Sequence, residues 1–170
     1  MLDLSQYKLG ETSPDIILES KEDNYAAVLA LTGQARRSIH LFSPDLDSEV
    51  FNKHEITEQL KNLAVKDRHT IIKILIHDSR KIVLNGHQFI ELARLLSSSI
   101  EIRKIPVELR AHSETFLIVD ETGLLYRTQS DRYEGLLKFD DRRQCRHLLD
   151  FFNKSWEHST PDPELKRLYI

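Results

Sequence analysis

Thr70 to His77 reads TIIKILIH, an apolar run broken by a single lysine. A run of this kind, rich in β-branched residues, is the mark of a strand buried on both faces, and such strands lie inside sheets covered by helices on both sides. The chain on either side supplies those helices. Before the run, Ile56, Leu60, Leu63 and Ala64 fall at i, i+4, i+7 and i+8; after it, Phe89, Leu92, Ala93 and Leu96 make a second stripe. Asp15 to Glu19 is a brief strand, and Ser20 can cap a helix with Tyr25, Val28 and Leu29 on one face. Ser38 to Ser43 is the next strand, closed by the Ser43-Pro44 pair, and Ile100 to Ile105 is another. Strand and helix thus alternate through the first hundred residues, which predicts parallel βαβ crossovers.

Beyond that point the pattern changes. Glu114 to Val119, Gly123 to Arg127 and Glu134 to Phe139 read as strands joined by short turns, an antiparallel portion of the same sheet. A last helix aligns Cys145, Leu148, Leu149, Phe152 and Trp156. The fold class is therefore α/β, a mixed β-sheet flanked by helices. The chain reads as a single domain over 1–170, with its core in 15–158 and a loosely held tail over 159–170 that contains Pro161 and Pro163.

Composition narrows the function classes. At 170 residues, 40% hydrophobic and 30% charged, the chain can bury one real core. A net charge of −3 gives no general attraction to nucleic acid or to an anionic membrane, so nucleic acid is not the expected partner. Cys145 is the only cysteine, no Cys/His spacing suits zinc, and neither a metal nor a cofactor is expected. The start, MLDLSQYKLGET, lacks the basic and apolar regions of a signal peptide, and no segment approaches the roughly 20 apolar residues of a membrane span. A cytoplasmic protein is the expectation.

Four segments carry a resemblance. ARRSIHLFSPDLDSEVF, TIIKILIHDSR, RAHSETFLIVDETGLLYRTQS and EGLLKFDDRRQCRHLLDFFNKSW together resemble one half of the phospholipase D superfamily, over most of residues 20–158. In that family a strand carries H-x-K-x(4)-D, the next leads into G-S-x-N, and a later Glu or Asp precedes a helix ending in F-x(3)-W. Phe152 and Trp156 reproduce the last spacing. The resemblance implies a phospholipase D-like domain, with a histidine nucleophile on phosphorus and a lysine and asparagine holding the phosphate oxygens. It also implies two facing copies, so a single half would need a homodimer to complete a site.

The motif copy here is degenerate. With His112 as nucleophile, Glu114 takes the lysine slot on the same strand face. Exchanging attraction for repulsion against one phosphate charge at about 4 Å, with an effective dielectric near 20, is a swing of roughly 8 kcal/mol. With Asp120 as anchor instead, Ser113 takes the histidine slot and Thr115 the lysine slot. Neither register supplies a lysine. Counting on from Asp120 lays Arg127, Thr128 and Ser130 on the Gly, Ser and Asn positions, where Arg127 could hold an anion in place of the lost lysine. The ordinary place for a strand arginine is solvent. Glu134 falls near the slot of the carboxylate that orients the histidine, and reads equally as a surface charge at a strand edge.

The remaining polar residues have plainer readings. His40 alternates with Ile39 and Leu41 and is expected to be packed and hydrogen-bonded. His77 and Asp78 end a strand at the carboxyl edge where α/β sheets bind ligands. Cys145 reads as core. Arg142, Arg143 and Arg146 with Lys138 are interleaved with Asp140, Asp141 and Asp150, which predicts a mutually screened surface. The expected function is a catalytically inactive binding or regulatory module, with either a protein partner or a phosphate-bearing ligand lined by His112, Arg127, Thr128 and Ser130. The alternative is a dimeric phosphodiesterase or nuclease with His112 as nucleophile.

Overall fold

Side-chain parity along each strand sorts the core into two layers. In β2 (Ser38–Phe42), Ile39 and Leu41 point to one face while His40 and Phe42 point to the other. The computed structural model describes residues 2–166, and over these the chain forms one eight-stranded sheet with six helices around it. The expected α/β class holds.

The parallel part comes first along the chain. After β1 (Ile16–Leu18) and α1 (Lys21–Gly33), β2 leads through α2 (His54–Lys66) to β3 (Ile71–Ile76). Two short helices, α3 (Arg80–Asn85) and α4 (Gln88–Leu95), then lead to β4 (Ile100–Lys104), and both strand pairings are parallel. The antiparallel part is the meander β5 (Thr115–Val119), β6 (Gly123–Arg127) and β7 (Gly135–Lys138), attached to β2 through β5. Helix α5 (Arg142–Glu157) follows, and β8 (Thr160–Pro161) and α6 (Pro163–Lys166) complete the described chain. The strand order is β1-β7-β6-β5-β2-β3-β4-β8.

The larger layer buries Leu31, Ile56 and Phe89 from α1, α2 and α4 against Leu41, Ile74 and Leu125 of the sheet. The smaller layer buries Cys145, Leu149 and Phe152 of α5 against Phe42, Phe116 and Leu124. Ser20 caps α1 as expected, its hydroxyl accepting from the Asp23 N–H at 3.1 Å. Asp141 does the same for α5 through the Gln144 N–H.

Two stretches depart from the sequence reading. Residues 80–85 form a helical turn whose sole buried side chain is Ile82, so no stripe marked it. The segment expected to hang loosely is instead packed as far as the buried Leu165. Thr160 and Pro161 pair with Lys104 and Arg103, the buried Asp162 carboxylate accepts from the Ser79 hydroxyl, and the Arg94 Nε donates to the Leu165 carbonyl at 2.9 Å. Pairing with the outer edge of β4 supplies the backbone partners that a two-residue strand lacks alone. Residues 167–170 lie outside the described residues.

Candidate functional site

The carboxyl ends of β2 and β3, the start of β5 and the end of β6 meet at one edge of the sheet. This brings together Asp45, Asp47, His77, the 110–114 segment and Arg127 with the loop that follows it. The first of the two motif strands therefore begins, and the second ends, where α/β sheets bind ligands.

Arg127 is not the solvent-facing arginine that its strand position suggested. It is 1% exposed and shares a sheet face with Leu125 and its cross-strand partner Thr115. Its guanidinium lies 5.1 Å from the Tyr133 ring and donates through Nη2 to the Ser130 carbonyl. Nε and Nη1 are buried and have no partner among the described residues. Burial lowers its pKa, while Asp47, Tyr133, Asp45 and Asp131 favour the cation. Desolvation, and after it a hydrogen bond to Asp47, pushes the Tyr133 phenol up to about 12. Arg127 is thus buried against Tyr133, with the carboxylates of exposed Asp45 and Asp131 and half-buried Asp47 in its electrostatic surroundings.

His112 lies on the opposite face of the sheet. Its ring sits 4.7 Å from Phe151 of α5, and its Nδ1 is 3.4 Å from a Glu114 carboxylate oxygen. The neighbouring His77 hydrogen-bonds to the His112 backbone, and burial holds its pKa below the usual imidazole range. His77 Nε2 and Arg110 Nε are buried there with no hydrogen-bond partner among the described residues. The sheet therefore separates the histidine from the arginine. His112 and Glu114 belong to the α5 face, Arg127 to the α1 face.

The other motif positions scatter. Thr128 is exposed. Ser130 contributes main chain, its N–H donating to the Ser113 carbonyl at 2.7 Å and its own carbonyl accepting from Arg127. Glu134 is exposed and makes no ion pair among the described residues, which fits a surface charge.

Asp120 lies at the far end of β5 and is a structural tether. Its carboxylate accepts from the backbone N–H groups of Arg36 at 2.9 Å, Arg37 at 2.8 Å and Ser38 at 3.0 Å. These are donors that the α1–β2 connection would otherwise leave unpaired. Asp120 and Glu121 take left-handed backbone conformations, φ 53° and 57°, at the centre of the β5–β6 turn.

Of the remaining residues, Cys145 is buried, and burial pushes its thiol up to about 12. His40 is packed edge-on against Phe152, but its Nδ1 has no hydrogen-bond partner, so the expected satisfied histidine is only half realised. Lys138 pairs with Asp15 and Asp141, while Arg142 reaches Asp140 only at 4.0 Å. The sequence reading missed Asp45, Asp47 and Tyr133 as neighbours of Arg127; an Asp-Leu-Asp directly after the strand-ending Ser43-Pro44 was the available signal. Among the described residues no group of three His, Cys, Asp or Glu could hold a metal ion, and no helix is long and apolar enough to cross a membrane.

Solved structures share the fold. TrmBL2, described as an archaeal chromatin protein with a novel mode of DNA binding, superposes with a TM-score of 0.66 at 18% identity, over 89% of this chain and 54% of its own. This chain thus spans about half of that protein. Nuc from Salmonella typhimurium, described as a phospholipase D family member, gives 0.59 at 15% identity over 88% and 99%. The phosphatidylserine synthase of Haemophilus influenzae Rd KW20 gives 0.64 at 14% identity over 96% and 41%. The domain therefore has a phospholipase D-like fold. No curated protein matches the sequence. The family described as a domain of unknown function, DUF7931, matches residues 20–168, and the chain belongs to it.

Proposed function

We propose that this domain is a non-catalytic phospholipase D-like module that works by binding, with the edge around Asp45, His77 and His112 as its contact surface. The observation that carries the reading is the placement of Arg127. Counted from Asp120, the lysine slot holds buried Thr115, and the cation opposite it on β6 is Arg127, itself buried, with the exposed Asp45 and half-buried Asp47 in its electrostatic surroundings. A phosphoryl group arriving at this edge from solvent would meet the Asp45 and Asp47 carboxylates, while Arg127, 1% exposed, offers it little surface. His112, across the sheet, has Glu114 beside it, which is unsuited to receiving an anion.

Purified protein incubated with bis(4-nitrophenyl) phosphate at millimolar concentration is expected to give no turnover above blank. Turnover that His112→Ala removes would establish the alternative, a phosphodiesterase with a histidine nucleophile. DNA binding is stated of the chromatin protein, and the acidic balance here argues against carrying it over.

A further inference from the structure

We propose that the groove at the opposite edge of the sheet, between the β5–β6 turn and the stretch of α5 from Arg142 to Asn153, binds a hydroxyl-rich phosphomonoester of the sugar phosphate class. The groove has a volume of about 410 Å³. Three guanidinium groups line it: Arg37 from the connection into β2, and Arg142 with Arg146, one turn apart on α5. Arg37 and Arg146 make no ion pair among the described residues, and Arg142 reaches its nearest carboxylate, Asp140, at 4.0 Å. Glu121 and Asp150 line the groove as well, yet neither is within 4.0 Å of a guanidinium nitrogen, so the donors of Arg37 and Arg146 stay open to charge-assisted hydrogen bonding with a dianion.

The Asp120 carboxylate also lines the groove, but it is spent on the backbone N–H groups of residues 36–38. Those bonds fix the main chain from which the Arg37 side chain springs. A tetrahedral phosphate suits donors converging from two separate elements better than a planar carboxylate does. The rest of the lining selects what the phosphate is attached to. Glu121, Asp150 and Asn153 can accept hydrogen bonds from hydroxyl groups, whereas Leu149 is the single large apolar side chain. The groove thus lacks a platform for a nucleobase or an acyl chain, and it is larger than a bare phosphate needs.

The test is a calorimetric titration at low ionic strength with three probes: ribose 5-phosphate, inorganic phosphate and ribose. Ribose 5-phosphate is expected to bind saturably and at least about tenfold more tightly than inorganic phosphate, with ribose silent. Arg37→Ala and Arg146→Ala, at exposed positions on different elements, are each expected to weaken binding by about tenfold while leaving the thermal midpoint within a few degrees. Equal binding of inorganic phosphate, absence of saturable binding, or variants that bind like the parent would each overturn the proposal.

Discussion

Thr115 and Arg127 stand directly opposite each other on β5 and β6, both buried, and the small side chain of the first leaves room for the long one of the second. Gly135 plays the same part on β7: a Cβ there would lie 2.8 Å from the Arg127 Cγ and 2.7 Å from the Tyr126 carbonyl oxygen. The arginine is seated among neighbours reduced in size around it.

That seating is costly, because two guanidinium nitrogens are desolvated without partners. Arg127→Met, which keeps much of the volume and drops the charge, is therefore expected to change unfolding free energy by less than about 1 kcal/mol in either direction. Arg127→Ala should cost about 2–4 kcal/mol through the cavity it leaves. Urea denaturation of both variants checks the order, and a methionine variant less stable than the alanine one would contradict it.

Asp120 makes the opposite case, a polar group whose removal leaves donors orphaned. Asp120→Ala strips acceptors from three backbone N–H groups and puts a β-carbon residue without a local hydrogen bond at φ 53°, for an expected loss of about 2–4 kcal/mol. Asp120→Asn keeps one acceptor oxygen and tolerates the left-handed conformation, so it should lose clearly less. Amide exchange at Arg36 to Ser38 should rise in step with the loss measured by chemical denaturation.

Burial holds the imidazoles of His40 and His87 at about 4, with Lys73 adding to the effect at His40. Both folded values lie below the unfolded one, so the unfolded chain binds more protons between the two. The stability they contribute is whole above about pH 6.5 and is lost as pH falls towards 4, at up to about 3 kcal/mol for each histidine. Urea midpoints across pH 4 to 8 should show this slope, and His40→Leu should flatten it. An unchanged slope in that variant would assign the pH dependence elsewhere.

The closing segment is expected to matter for stability. Ending the chain at Ser159 removes the β8 pairing, the Asp162 partner of Ser79 and the buried Leu165. A loss of about 2 kcal/mol or more, roughly 6 °C in the thermal midpoint, is anticipated by calorimetry.

The sheet was legible in the sequence because its strands are long apolar runs: TIIKILIH and TFLIV carry their burial in their composition. Elements that owe their shape to a neighbour were not legible. Neither β8, held by the outer edge of β4, nor α3, with Ile82 as its one buried side chain, carries a local signal. At the candidate site the difficulty was parity. A one-residue shift between His112 and Ser113 as the starting point exchanges the two faces of the sheet, and only tertiary packing fixes which face each residue meets. The burial of Arg127 was equally hidden, since it depends on how the β6–β7 loop folds Tyr133 over the guanidinium and brings Gly135 close to its stem.

Among the described residues β1 bonds to no strand but β7, and β7 comes late in the sheet-forming chain. A polypeptide emerging amino end first from the ribosome therefore makes β1 long before the strand that receives it exists. Its apolar residues must wait, exposed to solvent or to a chaperone, until residues 135–137 have been synthesised. Docking of that first strand thus belongs among the late, slow events of folding, where distant segments have to find each other.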